Sequence, residues 1–180
     1  MDRDGVINVD KGYVHKMEDF ELLPRVGEAL RLLPPDFKLV VITNQSGIMR
    51  GVYTESQFLS FMNSVKELLL EQGVRLDAVY HCPHLPSEDC DCRKPRMALF
   101  EKACEEFDLD PKRCFVIGDQ TSDIKMGQDG GCQTILVKTG RGGEDGNYSV
   151  TPDYVAQDLY DAVRYILLTE SQGKDGRPDA

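Results

Sequence analysis

The sequence lacks an apolar run that approaches the ~20 residues needed to cross a bilayer, and it lacks a signal-peptide pattern. It also lacks an excess of positive charge, since 21 lysine and arginine residues stand against 31 aspartate and glutamate residues, a formal net charge of −10. These absences argue against a membrane protein and against nucleic acid as a partner. A phosphorylated small molecule stays open as substrate, because the local charge of a cleft decides what it attracts.

The 180 residues are enough for one domain with a sizeable core, and no internal repeat divides them. Four of the six cysteines cluster in a pattern that suits a metal better than disulfides, which predicts a reducing compartment. We therefore expect a monomeric protein of the cytoplasm.

Apolar segments rich in β-branched residues alternate with amphipathic segments along the chain, as in "FKLVVITN" followed by "TESQFLSFMNSVKELLLEQG". This alternation predicts a three-layer α/β sandwich with a parallel, Rossmann-like sheet. We place the domain at residues 1–170 and predict a disordered polar tail at residues 171–180. In such sheets ligands bind beyond the carboxyl ends of the strands.

Acidic and polar residues stand at three places where strand ends are predicted: Asp2, Asp4, Thr43, Asn44, Asp119 and Asp123. Residues i and i+2 of an extended segment project to one side, so the two carboxylates of "MDRDGVI" can point at one atom. If the three segments are neighbours, one rim gathers four carboxylates, which suits Mg²⁺. The alternatives are a frayed acidic terminus for the first pair and helix capping for Asp119 and Asp123.

A second cluster lies in the zinc loop that we predict at residues 81–95, "HCPHLPSEDCDCRKP". Three thiols and an imidazole fall within eleven residues and match a tetrahedral zinc site: Cys82, His84, Cys90 and Cys92. The alternative, free thiols in the core, fits poorly with so polar and proline-rich a segment. With four protein ligands the zinc would be structural, and it would hold Arg93 and Lys94 over the cleft.

The motifs D-x-D-G, Thr43, Lys94 and G-D-x-x-x-D, in this order, resemble the haloacid dehalogenase superfamily of phosphohydrolases. The resemblance implies a domain without a large cap. It also implies that Asp2 is a nucleophile that forms an aspartyl-phosphate and that Asp4 is the general acid and base. Mg²⁺ would be bound by Asp2, the Asp4 carbonyl and Asp119, with Asp123 behind them. Thr43 and Lys94 would contact the phosphoryl group.

Two phosphatase families within this superfamily share further segments with the chain. "DKGYV", "TNQSGIMRG" and "VKTGRG" resemble the D-glycero-D-manno-heptose 1,7-bisphosphate 7-phosphatases, whereas the spacing C-P-H-L-P-x-x-x-C-D-C resembles the histidinol-phosphate phosphatases. Three separate segments favour a Mg²⁺-dependent 7-phosphatase of the heptose bisphosphate. A non-catalytic, zinc-stabilised binding module is the rival hypothesis. The predicted substrate-binding residues are Asp10, Lys11, Gly12, Tyr13, Asn44, Gln45, Ser46, Arg50, Arg93 and Gln120.

Two features depart from the family pattern. Members carry a hydrophobic strand before D-x-D, whereas only Met1 precedes Asp2 here. We therefore expect the first core strand to be missing or truncated, and Asp2 to lose a rigid mount. The heptose enzymes also carry a lysine where this chain has Gln120, which would make Lys94 more important for binding phosphate.

Overall fold

A computed structural model describes residues 1–174 of the chain. Its helices are α1 (Val26–Arg31), α2 (Glu55–Glu71), α3 (Ala98–Phe107), α4 (Thr121–Asp129) and α5 (Leu159–Lys174), with a 3₁₀ turn at Pro111–Arg113. Its strands are β1 (Val40–Asn44), β2 (Ala78–Cys82), β3 (Phe115–Gly118), β4 (Gln133–Val137) and β5 (Tyr154–Ala156). The predicted alternation of strands and helices is confirmed.

Helix α2 shows how local chemistry sets the ends of an element. Thr54 and Gln57 form a capping box, in which each side chain accepts a hydrogen bond from the other residue's backbone N–H. Gly73, just past the helix, has φ 76°, a left-handed conformation that favours glycine. Between these ends, an apolar stripe that includes Phe58, Val65 and Leu69 packs into the core.

The strands form two parallel ladders, β1–β2 and β3–β4–β5. Helices α1, α2 and α5 contribute to the larger hydrophobic cluster, and α3 and α4 contribute to a smaller cluster. The three-layer arrangement is therefore as predicted. Among residues 1–174, β1 is not paired with β3, so the parallel sheet is divided between them.

The start of the chain lies in this division. The Met1 carbonyl accepts a hydrogen bond from Ile42 N (3.0 Å), and Asp2 N donates to the Ile117 carbonyl (2.9 Å). Met1 and Asp2 thus lie between β1 and β3 and are hydrogen-bonded to both strands, at the position where the first core strand was expected to be missing or truncated. The predicted loss of a rigid mount for Asp2 is wrong, because hydrogen bonds to both neighbouring strands fix this segment.

An apolar cavity of about 310 Å³ lies beside Met1. Its lining includes Leu30, Leu39, Phe100, Phe115 and Ile166. Met1 is half-buried beside this cavity, and its N donates to the Val40 carbonyl (2.9 Å).

The last helix changes one predicted boundary. Helix α5 continues to Lys174, so residues 171–174 of the predicted disordered tail are helical, and residues 175–180 lie outside the described residues. Polar residues are compatible with an exposed helix end, and the Ser171 hydroxyl donates to the Leu168 carbonyl (2.8 Å). Within the described part of the chain, every helix is too short or too polar to cross a membrane.

Candidate active site

Three carboxylates meet at the rim where β1 and β3 end. Asp2 lies between the two strands, Asp119 directly follows β3, and Asp123 lies in the first turn of α4. One oxygen of each lies within 4.8 Å of the others, and all three residues are buried. The prediction that these distant segments converge is confirmed for these three, and Asp123, predicted to stand behind the ligands, is within the cluster.

Lys94 joins this cluster from the loop that precedes α3. Its Nζ lies 3.0 Å from an Asp2 oxygen and 2.6 Å from an Asp123 oxygen, and it donates to the Ile42 carbonyl (2.8 Å). Burial acts to lower the pKa of Lys94, but the charges of Asp123 and Asp2 outweigh it and raise that pKa above its ordinary value. Lys94 therefore stays cationic at the cluster.

Asn44 holds Lys94 in place. The Asn44 Oδ1 accepts from Lys94 N (3.1 Å), and the Asn44 Nδ2 donates to the Lys94 carbonyl (3.4 Å). Both ends of this amide are thus bonded to the backbone of Lys94. Asn44 was predicted to bind substrate, and in the structure its amide bonds to the backbone of Lys94.

The cluster carries more negative than positive charge, since three carboxylates face one ammonium. Burial first, and then the charge of Asp2, raise the pKa of Asp119 to about 8. Burial raises the pKa of Asp123 to about 6, against the opposing effect of Lys94. Asp119 Oδ1 is buried and has no hydrogen-bond partner among the described residues. An unpaired oxygen within a cluster of carboxylates fits a hard divalent cation with oxygen ligands.

A glycine-rich loop after β4 packs against Asp119 and donates hydrogen bonds to it. This contact was not predicted from the sequence. Arg141 N donates to Asp119 Oδ2 (2.7 Å), and Gly143 N donates to the Asp119 carbonyl (2.8 Å). Gly5 and Gly140 both have positive φ, and a Cβ on either would overlap the Asp119 carboxylate. The glycines of "VKTGRGG" were the available signal.

Asp4 lies outside the three-carboxylate cluster. Its carboxylate is 20% exposed and accepts hydrogen bonds from Arg3, Asn8 and Gln45. The Asp2 and Asp4 carboxylates were expected to point at one atom, and the group of three carboxylates that the structure brings together does not include Asp4. Directly after Asp4 the chain turns at Gly5, which has φ 77°.

The four predicted thiol and imidazole ligands converge. Cys92 Sγ lies 3.1 Å from Cys82 Sγ and 3.7 Å from Cys90 Sγ, and Cys82 Sγ lies 3.7 Å from Cys90 Sγ. His84 Nδ1 lies 3.6 Å from Cys82 Sγ and 3.2 Å from Cys92 Sγ. A regular tetrahedron with metal–sulfur bonds of about 2.3 Å has sulfur–sulfur edges of about 3.8 Å. The cluster fits a single tetrahedral metal ion.

Three of the remaining predicted substrate residues use their polar groups within the protein. Gln45 is buried and fully bonded, Gln120 caps α4 in a box with Asp123, and Arg93 Nη1 donates to the His84 carbonyl (3.2 Å). The others lie at or near the surface: Asp10, Lys11, Gly12, Tyr13 and Arg50 are exposed, and Ser46 is half-buried. Tyr13 has φ 54°, a strained value for a bulky residue, and it is 46% exposed.

Comparison with known proteins identifies the family of the chain. A family model described as HAD-hydrolase-like matches residues 91–162. The D-glycero-β-D-manno-heptose-1,7-bisphosphate 7-phosphatase of Haemophilus ducreyi is 38% identical over 176 residues, which cover 92% of this chain and 96% of the relative. The chain belongs to the haloacid dehalogenase-like phosphatases.

Two further family members have informative names. The D-glycero-α-D-manno-heptose-1,7-bisphosphate 7-phosphatase of Campylobacter jejuni is 44% identical over 138 residues, covering 76% of this chain and 79% of the relative. The crystal structure of the D,D-heptose 1,7-bisphosphate phosphatase from B. bronchiseptica, complexed with magnesium and phosphate, superposes with a TM-score of 0.85 at 30% identity. It covers 93% of this chain and 96% of that one.

Proposed function

We propose that this family member is a Mg²⁺-dependent phosphatase that removes the 7-phosphate of D-glycero-D-manno-heptose 1,7-bisphosphate. The observation that carries the proposal is the buried cluster of Asp2, Asp119, Asp123 and Lys94 at the sheet rim. The relatives supply the substrate class, since they are named for this sugar bisphosphate. Their names include both anomers, so the proposal covers the sugar and not its anomer.

Asp2 is the proposed nucleophile, whose carboxylate attacks phosphorus and forms an aspartyl-phosphate. Lys94, 3.0 Å from Asp2, lowers the electrostatic cost of bringing an anionic phosphate to a carboxylate. Thr43 is the proposed donor to a phosphoryl oxygen. Asp4 donates a proton to the leaving alkoxide and later takes one from the attacking water.

The Mg²⁺ site would be formed by the carboxylates of Asp2 and Asp119 with the backbone carbonyl of Asp4, and Asp123 would balance Lys94. When bound, the ion neutralises the negative charge that phosphate and carboxylates bring together. The unpaired Asp119 oxygen supports this assignment.

We further propose that the tetrahedral cluster of Cys82, His84, Cys90 and Cys92 binds a structural zinc ion. All four protein ligands are present, which leaves no position for water or substrate. The loop passes from Cys92 directly to Arg93 and Lys94, so a fixed metal would set the position of the catalytic lysine.

Histidinol phosphate is the second candidate substrate, supported by the short C-P-H-L-P-x-x-x-C-D-C spacing. Three segments and the names of the relatives favour the heptose bisphosphate. The non-catalytic alternative is less well supported, because its one argument was the absent first core strand, and Asp2 is hydrogen-bonded to β3 even so. We also propose that residues 1–170 belong to one domain and that the protein is monomeric and cytoplasmic.

A substrate panel tests the proposal. The purified protein with Mg²⁺ should release phosphate from heptose 1,7-bisphosphate at least about tenfold more efficiently, as kcat/KM, than from histidinol phosphate. ³¹P NMR of the product should show that the 1-phosphate remains. The reverse preference would favour histidinol phosphate as the substrate, and no hydrolysis of either would contradict a phosphatase.

A further inference from the structure

Arg3, between the two aspartates, is an unusual core residue. Its guanidinium is fully buried and lies over the rings of Phe58 (5.7 Å) and Phe61 (5.2 Å). One of its nitrogens, Nη2, donates to both oxygens of Asp4 (2.8 and 2.6 Å) and to the Val14 carbonyl (2.9 Å). Because an unpaired buried cation is costly, Arg3 and Asp4 fix one another.

Gln45 reaches the same carboxylate from the loop after β1. Its Nε2 donates to Asp4 Oδ2 (3.2 Å) and to Thr43 Oγ1 (2.9 Å). Its Oε1 accepts from the Tyr53 hydroxyl (2.6 Å), which sets the orientation of the amide. One amide thus ties the proposed acid and base to the proposed phosphoryl donor, and it leaves the Thr43 hydroxyl hydrogen free for another acceptor.

A third contact completes the arrangement, since Asn8 Nδ2 donates to Asp4 Oδ1 (2.9 Å). Both oxygens of Asp4 therefore accept hydrogen bonds from protein side chains, and the Asp4 side chain is still 20% exposed. The rotamer of Asp4 is determined by side chains that do not face the exposed surface.

We propose that Arg3, Gln45 and Tyr53 are positioning residues that hold the carboxylate of Asp4 at the leaving-group oxygen of the substrate. The assignment rests on the proposed role of Asp4 as general acid. General-acid catalysis requires the carboxyl group to lie within hydrogen-bond reach of the departing oxygen. A small displacement of the Asp4 carboxylate should therefore lower the rate strongly. Gln45, predicted to bind substrate, then acts through Asp4.

The test uses Tyr53→Phe, which removes one hydroxyl and leaves the ring in the core. We expect kcat/KM for an alkyl phosphate, a poor leaving group, to fall about tenfold. With p-nitrophenyl phosphate, whose leaving group needs no proton, the fall should be less than about twofold. Arg3→Met should show the same pattern with a loss of about a hundredfold for the alkyl phosphate, and Arg3→Lys should recover part of it.

Tyr80→Phe is the matched control. Tyr80 is also buried and also donates a 2.6 Å hydrogen bond to a side chain, but its partner is Glu106 on α3. Thermal melting of both tyrosine variants separates lost stability from lost positioning. Equal losses for the two leaving groups, or a Tyr53→Phe variant no different from Tyr80→Phe, would overturn the proposal. A parent protein inactive on both substrates would instead contradict the proposed phosphatase.

Discussion

The thiol cluster and the carboxylate cluster both fit a metal, but they are built in different ways. The thiol and imidazole ligands come from eleven consecutive positions, the end of β2 and the loop after it, whereas the three carboxylates come from distant parts of the chain. Asp2 is near its start, Asp119 follows β3, and Asp123 lies in α4. A loop without a core depends on its metal for structure. The carboxylates are instead held by the backbone next to the sheet and by Lys94, so their arrangement does not require a metal ion.

This difference predicts what the loss of metal would do at each cluster. Loss of metal from the thiol cluster should loosen the chain around it and displace Lys94. Loss of metal from the carboxylate cluster should leave the fold intact. The cluster would then hold a buried excess of negative charge. Substitutions of single residues in each cluster test whether the two clusters differ in this way.

Asp2→Asn should have the largest effect. An amide is a poor nucleophile, so we expect kcat to fall by about 10⁴-fold or more, with circular dichroism and zinc content unchanged. Phosphate release in steady state measures the effect. Asp89→Asn is the control, because the Asp89 side chain is 91% exposed and pairs only with Arg96. Substantial activity in Asp2→Asn would contradict the assigned nucleophile.

Lys94→Met should come next, with a loss of roughly 10² to 10³ in kcat/KM, since a cation near the phosphoryl group is removed. The structure adds an effect on stability that the sequence did not predict. Without Lys94, Asp2 and Asp123 are buried with no cationic partner, so unfolding free energy should fall by about 3 to 5 kcal/mol in Mg²⁺-free urea titrations.

Added Mg²⁺ should recover part of this stability in the Lys94→Met variant. Lys112→Met, at the 3₁₀ turn, is the matched substitution of an exposed lysine. Activity of Lys94→Met within about twofold of the parent would mean that the phosphoryl group has another cationic partner.

Cys92→Ser should have an intermediate effect, through the position of Lys94. Metal analysis should find about one zinc per parent chain and little in the variant, and kcat/KM should fall roughly ten- to a hundredfold. Cys104→Ser, in α3 and outside the cluster, should keep both zinc and activity. Protein purified without chelator that contains no zinc would rule out this site.

The smallest effect concerns pH and Mg²⁺. The Asp119 pKa is about 8 in the folded protein against an ordinary 3.8, so between these values the folded state holds a proton that the unfolded chain has lost. Metal-free stability should therefore decrease as pH rises from 4 to 8.

Because Mg²⁺ binds the ionised carboxylate, its stabilising effect should be larger at pH 8 than at pH 5.5, by a few degrees in melting temperature. Asp119→Asn should flatten both the pH dependence and the response to Mg²⁺. A Mg²⁺ shift that is the same at both pH values in the parent would contradict the raised pKa.

Residue pattern alone predicted much of this protein. The periodicity of "TESQFLSFMNSVKELLLEQG" and its Thr54 cap specify α2, and the run "VVITN" specifies a buried strand. The convergence of Cys82, His84, Cys90 and Cys92 could be predicted because residues close in the chain cannot lie far apart in space. The order of the acidic motifs identified the family, since parallel topology brings strand ends to one rim.

Tertiary structure decided which atoms meet. It bonded the Asp4 carboxylate to Arg3, Asn8 and Gln45, and it placed the amide of Asn44 on the Lys94 backbone. These outcomes depend on backbone turns and on the packing of Arg3 against two aromatic rings. Side-chain direction at a strand end follows from long-range packing and hydrogen bonding, which the spacing of residues along the chain does not determine.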